Sequence, residues 1–262
     1  MRILGGVVLI TLLAAAGCAR PEPRVAAPVP SPAPPAQPET PENPVTPPAA
    51  AETPLEGAEL DALFAEWRRR QEETPAITAR FTCAESSALL TKPRTTSGSI
   101  QILKPDGYRR TTLDPKTGQV TGLMILKPPD LWVYLPALAE AEHYNLEALG
   151  GKADANPLKA LEDIISFDAG RIRARFAIRA FREPGGLCRL EYAPLGKRAI
   201  AGVEKVRLWV RPGARFPEKM ETVADGDLRV ETYSEPRFDA KPDPALFKFR
   251  PPAGVKMTEV RK

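Results

Sequence analysis

The chain has 262 residues, of which 43% are hydrophobic and 27% are charged, and its formal net charge is +4. The 208 residues from Leu55 onward are enough for one sizeable core, and no apolar run after residue 13 approaches the roughly 20 residues of a transmembrane helix. The sequence has no serine-hydrolase, zinc-protease, redox-dithiol or phosphate-loop motif, which argues against an enzyme and gives no reason to expect a cofactor or a metal.

The N-terminus has the pattern of an export signal. Arg2 precedes an apolar run of eleven residues, Ile3–Leu13, which is too short to cross roughly 30 Å of hydrocarbon and suits the centre of a signal peptide. The small residues Ala14–Gly17 and the cysteine after them resemble the bacterial lipobox, in which the chain is cut before the cysteine and the thiol is lipidated. We expect a signal peptide over residues 1–17 and firm lipid attachment at Cys18. An ordinary secretory signal is the alternative.

Residues 18–54 are expected to form the lipid anchor and a tether. Thirteen of the 34 residues from Pro21 to Pro54 are proline, and none is aromatic. Because proline fixes φ and has no amide donor, we expect extended chain rather than helix or sheet, with a reach on the order of 100 Å. A spacer is favoured over a ligand for a proline-binding domain. The folded domain is then expected over residues 55–262.

The start of the domain predicts a helix followed by strands. Apolar residues within Gly57–Arg70 have the spacing of one helical face, and Pro75 ends the helix. The helical face consists of Leu60, Leu63, Phe64 and Trp67. The period then changes to two, which indicates half-buried strands with one solvated face. Their inward positions are Ile77, Ala79, Phe81 and Cys83; Ile100 and Ile102; Ala174, Phe176, Ile178 and Ala180; and Val206, Leu208 and Val210.

Turn sequences separate these strands at short intervals, which indicates an antiparallel meander. They are Asp106-Gly107, Lys116-Thr117-Gly118, Pro184-Gly185-Gly186, Arg211-Pro212-Gly213 and Asp225-Gly226. A second helix is predicted after the N-cap Asn156 and Pro157. Its apolar face consists of Leu158, Leu161, Ile164 and Ile165. The pattern therefore predicts a curved antiparallel sheet packed by helices, and leaves open whether side chains fill its concave side or a cavity remains.

Four segments, in order, resemble the lipoprotein-carrier family of LolA and its membrane-anchored counterpart LolB. They are the strand segment Ala79–Thr82, the hairpin Gly98–Arg109, the strand Leu131–Pro136 and the closing segment Phe247–Val255. The resemblance implies a mainly β fold, an unclosed antiparallel barrel of about eleven strands with helices covering its open face. It also implies an apolar cavity that receives the acyl chains of lipoproteins.

The resemblance and the alternating pattern together give a set of candidate site residues. The lipid-binding cavity is expected to be lined by Tyr108, Ile100, Ile102, Phe176, Ile178, Val206 and Leu208. The resemblance implies that Lys104 contacts the helical lid, although a solvated charge at a strand end is the alternative. Leu161 and Ile165 are the further lid contacts.

Other residues allow two interpretations. Cys83 and Cys188 form either a disulfide or two buried free thiols. His143, the only histidine, is expected at a solvated strand position, because no second histidine or cysteine lies near it. Leu89-Leu90 is a candidate exposed tip for membrane contact. Five arginines indicate a solvated strand face, with a docking face as the alternative; they are Arg171, Arg173, Arg175, Arg179 and Arg182.

These features predict a monomeric, membrane-anchored protein that binds lipid acyl chains or lipoproteins and faces the periplasm. The outer membrane is favoured over the inner membrane because Ala19, not aspartate, follows Cys18. Export argues against nucleic-acid partners. The alternative is an interaction protein, a sensor or assembly factor that binds a peptide or protein with the same fold.

Overall fold

The structure is a computed structural model that describes residues 52–148, 169–196 and 203–260. The signal peptide, Cys18, the tether up to residue 51 and the second helix predicted after Asn156 lie outside the described residues. Leu161 and Ile165 therefore have no described position. Within the described ranges the chain forms two α-helices, two short 3₁₀ helices and one large β-sheet.

The helices are α1 (Gly57–Glu72), α2 (Ala169–Arg175), η1 (Pro136–Leu138) and η2 (Pro244–Phe247). The strands are β1 (Thr53–Pro54), β2 (Ala76–Ser86), β3 (Arg94–Leu103), β4 (Gly107–Leu113), β5 (Val120–Lys127), β6 (Asp130–Leu135), β7 (Glu140–Asn145), β8 (Phe176–Arg182), β9 (Cys188–Pro194), β10 (Val203–Val210), β11 (Lys219–Ala224), β12 (Asp227–Arg237) and β13 (Lys256–Val260).

The thirteen strands form one sheet in the order β1-β8-β9-β10-β11-β12-β2-β3-β4-β5-β6-β7-β13. Neighbouring strands are antiparallel, with the exception of the parallel pair β7 and β13. Because β1 and β13 stand at opposite ends of the order, the sheet does not close on itself. The prediction of an unclosed, mainly antiparallel sheet with helices is confirmed, with two more strands than the eleven expected.

The five predicted turns all join neighbouring antiparallel strands. The pairing of β12 with β2 is different, because it joins the first strand after α1 to a strand near the C-terminus. Its register runs from Leu228 opposite Ser86 to Arg237 opposite Thr78. The ladder between β12 and β2 thus joins the strands β2–β7 to the strands β8–β12 in a single sheet.

Helix α1 packs on one face of the sheet, which we call the inner face. Leu60, Phe64 and Trp67 are buried and belong to one cluster with Leu190 and Leu208. The alternating spacing of the strand residues and the helical spacing of the α1 residues place both sets at this interface. Burying the three side chains of α1 contributes roughly 1.5–3 kcal/mol each.

The strand registers carry the inner face across the whole sheet. Met220 pairs with Leu208 and with Glu231, which in turn pairs with Cys83. Farther on, Tyr108 pairs with Ile102 and Leu126. The inner face therefore runs without interruption from β8 to β13.

The predicted start of strand β8 and the predicted strand face of five arginines were both wrong. Arg173, Ala174 and Arg175 belong to helix α2, and strand β8 begins only at Phe176. Alanine and arginine both have high helix propensity, and Ile172 supplies the buried contact of this short helix. The five arginines thus do not form one strand face, since Arg171, Arg173 and Arg175 are helical.

The end of the tether belongs to the sheet, although the sequence predicted neither helix nor sheet there. Thr53 and Pro54 form strand β1 and pair with Arg182 and Phe181 of β8. A proline is tolerated there because β1 is an edge strand, where a missing amide donor leaves no ladder bond unmade. The backbone amide of Leu55 continues the pairing by donating to the Ala180 carbonyl at 2.9 Å.

Candidate functional site: the inner face of the sheet

The seven predicted cavity residues all project from the inner face. Alternate residues of a strand face the same side of the sheet, and the strand registers place all seven residues on the side that faces α1. They are Phe176 and Ile178 on β8, Val206 and Leu208 on β10, Ile100 and Ile102 on β3, and Tyr108 on β4. The structure thus brings the set onto one surface, but α1 divides it into two environments.

Under α1 the inner face is a packed core. Phe176 is 1% exposed and Leu208 is not exposed, and Val206 is buried beside them. Ile178 packs against the same cluster and is half-buried. These residues share one cluster with the apolar side of α1 and with Ile172 of α2, so an acyl chain reaches them only if this packing opens.

Away from α1, several apolar side chains of the inner face stay partly open. Ile102, Tyr108 and Leu126 are half-buried, whereas Ile100 is buried. Tyr108 packs against two clusters, one containing Met124, Leu131, Val133 and Tyr144 and the other containing Phe81, Cys83 and Ile100. An apolar ligand can contact this partly open surface on β3, β4 and β5 without displacing α1.

A buried ionic network lies between these two regions. Arg110 Nη1 donates to Glu231 Oε2 at 3.0 Å, and Arg110 Nη2 lies 3.0 Å from Oε1. Arg229 Nε donates to the same Oε1 at 2.7 Å. The Tyr233 hydroxyl also donates to Glu231, at 2.8 Å. Arg229 continues the network to Glu85 at 3.1 Å. A carboxylate at this depth is tolerated because each oxygen is paired with a cationic donor.

The electrostatics of the network follow from this pairing. Burial by itself would raise the pKa of Glu231, but the attraction of Arg110 and Arg229 outweighs burial and holds the pKa far below its usual range. The Arg110 guanidinium lies 3.7 Å from the centre of the Phe81 ring, which adds a cation–π contact. Sequence reasoning missed this network, because Arg229, Glu231 and Tyr233 alternate as a solvated strand face does.

Lys104 contacts the end of helix α1. Its Nζ donates to the side-chain oxygen of Gln71 at 3.0 Å and to the Gln71 backbone carbonyl. The Gln71 amide in turn donates to the Arg215 carbonyl, so one buried glutamine connects the end of β3 with the β10–β11 loop. Burial lowers the pKa of Lys104, and Glu72 partly opposes this. A cation beside the last carbonyls of α1 also complements the helix dipole.

The two remaining cysteines are free and buried. Four strand-to-strand steps separate β9, which carries Cys188, from β2, which carries Cys83. That is about 19 Å along the sheet at about 4.8 Å per step, well beyond the reach of a disulfide. Burial raises the pKa of both thiols, which keeps them protonated. Of the two alternatives, the structure has the free thiols.

His143 is not the solvated strand residue that was expected. Its imidazole stacks on Trp132 and lies between two carboxylates, those of Asp130 and Glu259. The sequence held no signal for this, because Glu259 reaches His143 only through the parallel pairing of β13 with β7.

Leu89 and Leu90 are exposed, as the sequence suggested. Leu89 is 93% exposed at the tip of the β2–β3 loop. Two other exposed apolar residues, Val120 and Leu228, lie at the same end of the sheet, since Leu228 pairs with the last residue of β2 and Val120 with the last residue of β4. This end of the described sheet presents an apolar tip.

The described residues include neither a membrane-spanning helix nor a metal-binding group of side chains. Neither α-helix in the described ranges has the length and apolar character needed to cross a bilayer. Among the same residues, histidine, cysteine and carboxylate side chains form no group of three suited to a metal ion.

Comparison with known proteins gives similarities among solved structures. No protein-family model and no curated protein matches the chain. An outer membrane lipoprotein-sorting protein domain from Vibrio parahaemolyticus is 16% identical over 71% of this chain and 94% of that chain, with a TM-score of 0.41. The lipoprotein LppX from Mycobacterium tuberculosis is 12% identical over 70% of this chain and 99% of that chain, with a TM-score of 0.37.

The MucA/MucB complex from Pseudomonas aeruginosa is also similar. It is 12% identical over 74% of this chain and 62% of that chain, with a TM-score of 0.40. These similarities assign no function to this chain.

Proposed function

We propose that this protein is an exported, lipid-anchored protein that binds acyl chains on the inner face of its sheet, in lipoprotein sorting or lipid transfer within the bacterial envelope. The observation that carries the proposal is the single inner face shared by all seven candidate residues, part of which stays open on β3, β4 and β5. Binding then requires no chemistry, because burying each methylene contributes about 0.8 kcal/mol.

Helix α1 serves as the lid in this proposal. Its apolar side covers the β8–β11 half of the inner face, so its movement would extend the open surface onto Phe176 and Leu208. The contacts of Lys104 with Gln71 hold the end of α1. Lys104→Met removes the donor and keeps the length of the side chain, and we expect faster uptake of an acyl probe from this variant.

The anchor and the location belong to the same proposal. Lipid on Cys18 and the proline-rich tether would keep the domain at the periplasmic side of the outer membrane while it reaches its cargo. The exposed Leu89 at the loop tip is suited to touch the bilayer during transfer.

A fluorescent acyl probe tests the proposal on the chain from residue 52 onward. Ile102→Gln makes the inner face polar at a half-buried position, and Gln101→Ile is the matched control on the other face of the same strand. We expect the first variant to weaken probe binding about tenfold or more, and the second to leave it unchanged. No binding of the probe by the unmodified protein, together with crosslinking to one dominant protein partner, would favour the interaction protein instead.

A further inference from the structure

The C-terminal strand β13 is weakly attached to the sheet by its own side chains. It pairs in parallel with β7, from Lys256 opposite Glu140 to Val260 opposite Tyr144, and its first four side chains are exposed. A parallel ladder is slightly less stable per residue than an antiparallel one. Beyond this backbone ladder and the packing of Val260 on the inner-face cluster, few side-chain contacts join β13 to its neighbours.

His143 makes the most extensive of these contacts. Its Nδ1 lies 2.8 Å from Glu259 Oε2 on β13, and its Nε2 lies 2.8 Å from Asp130 Oδ1 on β6. The ring stacks on Trp132 at 3.9 Å with an interplanar angle of 12°, and its side chain is only 15% exposed. Both ring nitrogens face an acceptor, and only the protonated imidazole carries two donors.

The groups around His143 favour its charged form. Burial alone would lower the pKa of His143, but the hydrogen bonds to Asp130 and Glu259 outweigh burial and raise it. Asp130 faces the ring from β6 and Glu259 from β13, while Phe249 stacks on the neighbouring Trp132 and adds no charge. Glu142, beside His143 on its own strand, belongs to the inner face.

We propose that His143 is a pH-dependent clasp that holds the C-terminal strand β13 on the edge of the sheet. When the imidazole is protonated it donates to β6 and β13 at once and joins three strands. When it loses a proton, one nitrogen lone pair faces a carboxylate, and that hydrogen bond is replaced by repulsion. Release of β13 leaves unpaired those backbone groups of β7 that face away from β6, which makes β7 an open sheet edge onto which extended chains add.

The direction of the pH dependence follows from linkage. Asp130 faces His143 whether or not β13 is attached, so only the contribution of Glu259 to the raised pKa of His143 depends on attachment. The pKa is therefore higher with β13 attached than with β13 released, and the attachment is strongest below the pKa of the released state. It weakens as the pH rises through the raised value. Each unit by which the two pKa values differ corresponds to about a tenfold change in the attachment equilibrium.

Hydrogen–deuterium exchange of the full chain tests the clasp between about pH 5.5 and about pH 8.5, a range that brackets ordinary histidine titration. After correction for intrinsic exchange rates, the protection of residues 256–260 and of the β7 amides that face β13 is expected to fall as the pH rises. In His143→Gln, which cannot donate from both ends, protection is expected to be low and independent of pH. Equal protection of β13 at every pH in the unmodified protein would overturn the proposal.

Two further variants keep the test decisive. Glu140→Gln removes the exposed Lys256–Glu140 ion pair at 3.0 Å, which joins the same two strands without the imidazole, and it should keep the full pH dependence. Glu259→Gln leaves His143 and β7 intact, and should reduce the pH dependence even if His143→Gln fails to fold. Unchanged pH dependence in Glu259→Gln would contradict the clasp.

Discussion

Glu231 accepts hydrogen bonds from three side chains in the middle of the inner face, those of Arg110, Arg229 and Tyr233. Its carboxylate is 2% exposed, so the two arginines depend on it for their neutralising charge. A buried pair of this kind adds little net stability compared with a well-packed apolar pair, but losing one partner leaves the other charge buried.

Removing the Glu231 charge should therefore be costly. We expect Glu231→Gln to lower the free energy of unfolding by about 3–5 kcal/mol, because Arg110 and Arg229 stay buried beside a neutral amide. Urea denaturation measures this. Glu218→Gln, which removes an exposed ion pair with Arg211, should cost no more than about 1 kcal/mol. Equal losses of unfolding free energy in the two variants would show that the buried network matters no more to stability than an exposed ion pair.

Tyr192 presents the opposite case. Its hydroxyl is buried on the inner face and has no hydrogen-bond partner in the described structure. We expect Tyr192→Phe to leave the free energy of unfolding unchanged or to raise it by about 1 kcal/mol, because an unsatisfied polar group is removed. Tyr233→Phe, which loses a bond to Glu231, should cost about 1.5–3 kcal/mol. A larger loss for Tyr192→Phe than for Tyr233→Phe in thermal denaturation would contradict this reading.

Leu89 is exposed without any structural reason visible in its surroundings. If the loop tip contacts membrane, Leu89→Glu should weaken binding of the chain from residue 52 onward to phosphatidylcholine vesicles, measured by sedimentation. Its free energy of unfolding should change by no more than about 0.5 kcal/mol. Ala88→Glu places the same charge in the same loop and is the control. Equal vesicle binding by the two variants would argue against a role for Leu89.

Among the elements, strands β2, β3 and β4 approach one another closely at Gly98. A Cβ at this position would meet the Thr111 carbonyl and the Phe81 ring, which lies 2.8 Å away. We expect Gly98→Ala to lower the free energy of unfolding by about 1–3 kcal/mol through overpacking. Gly122→Ala, where the nearest side-chain atom is 3.7 Å away, should be neutral. Guanidinium denaturation of the pair distinguishes them, and a neutral Gly98→Ala would refute the close approach.

The elements also show what could be predicted from the sequence. The hairpins β3–β4, β4–β5, β8–β9, β10–β11 and β11–β12 were predictable, because turn residues and the alternation of apolar and polar residues are local signals. Helix α1 was predictable from the spacing of Leu60, Phe64 and Trp67. In α2 the local signal misled, since the arginine alternation before Phe176 suits a strand or a helix.

The rest depended on long-range pairing. The Arg110–Glu231 ion pair forms because β12 lies beside β2, and the contact of His143 with Glu259 because β13 lies beside β7. Neither pairing has a local signature in the sequence. The sequence nevertheless predicts the inward side of each strand, because the alternation of side chains along a strand does not depend on which strands are its neighbours. The seven residues of the inner face are predictable for this reason.

At the scale of the whole molecule, the two edges of the sheet have different roles. At one edge, β1 carries the end of the tether, where Glu52 pairs with Arg189 at 2.6 Å and Leu55 is buried in the core. At the other edge, β13 is held by His143. The inner face lies between them, covered by α1 on one side and partly open on the other.

Photo-crosslinking from position 102 tests the central claim most directly. Ile102→p-benzoylphenylalanine places the reactive group on the inner face, and Gln101→p-benzoylphenylalanine places it on the opposite face of the same strand. After irradiation in cells, mass spectrometry should find acyl-chain adducts at position 102 and none at position 101. A single protein adduct at position 102, or no acyl adduct at either position, would contradict acyl binding on the inner face.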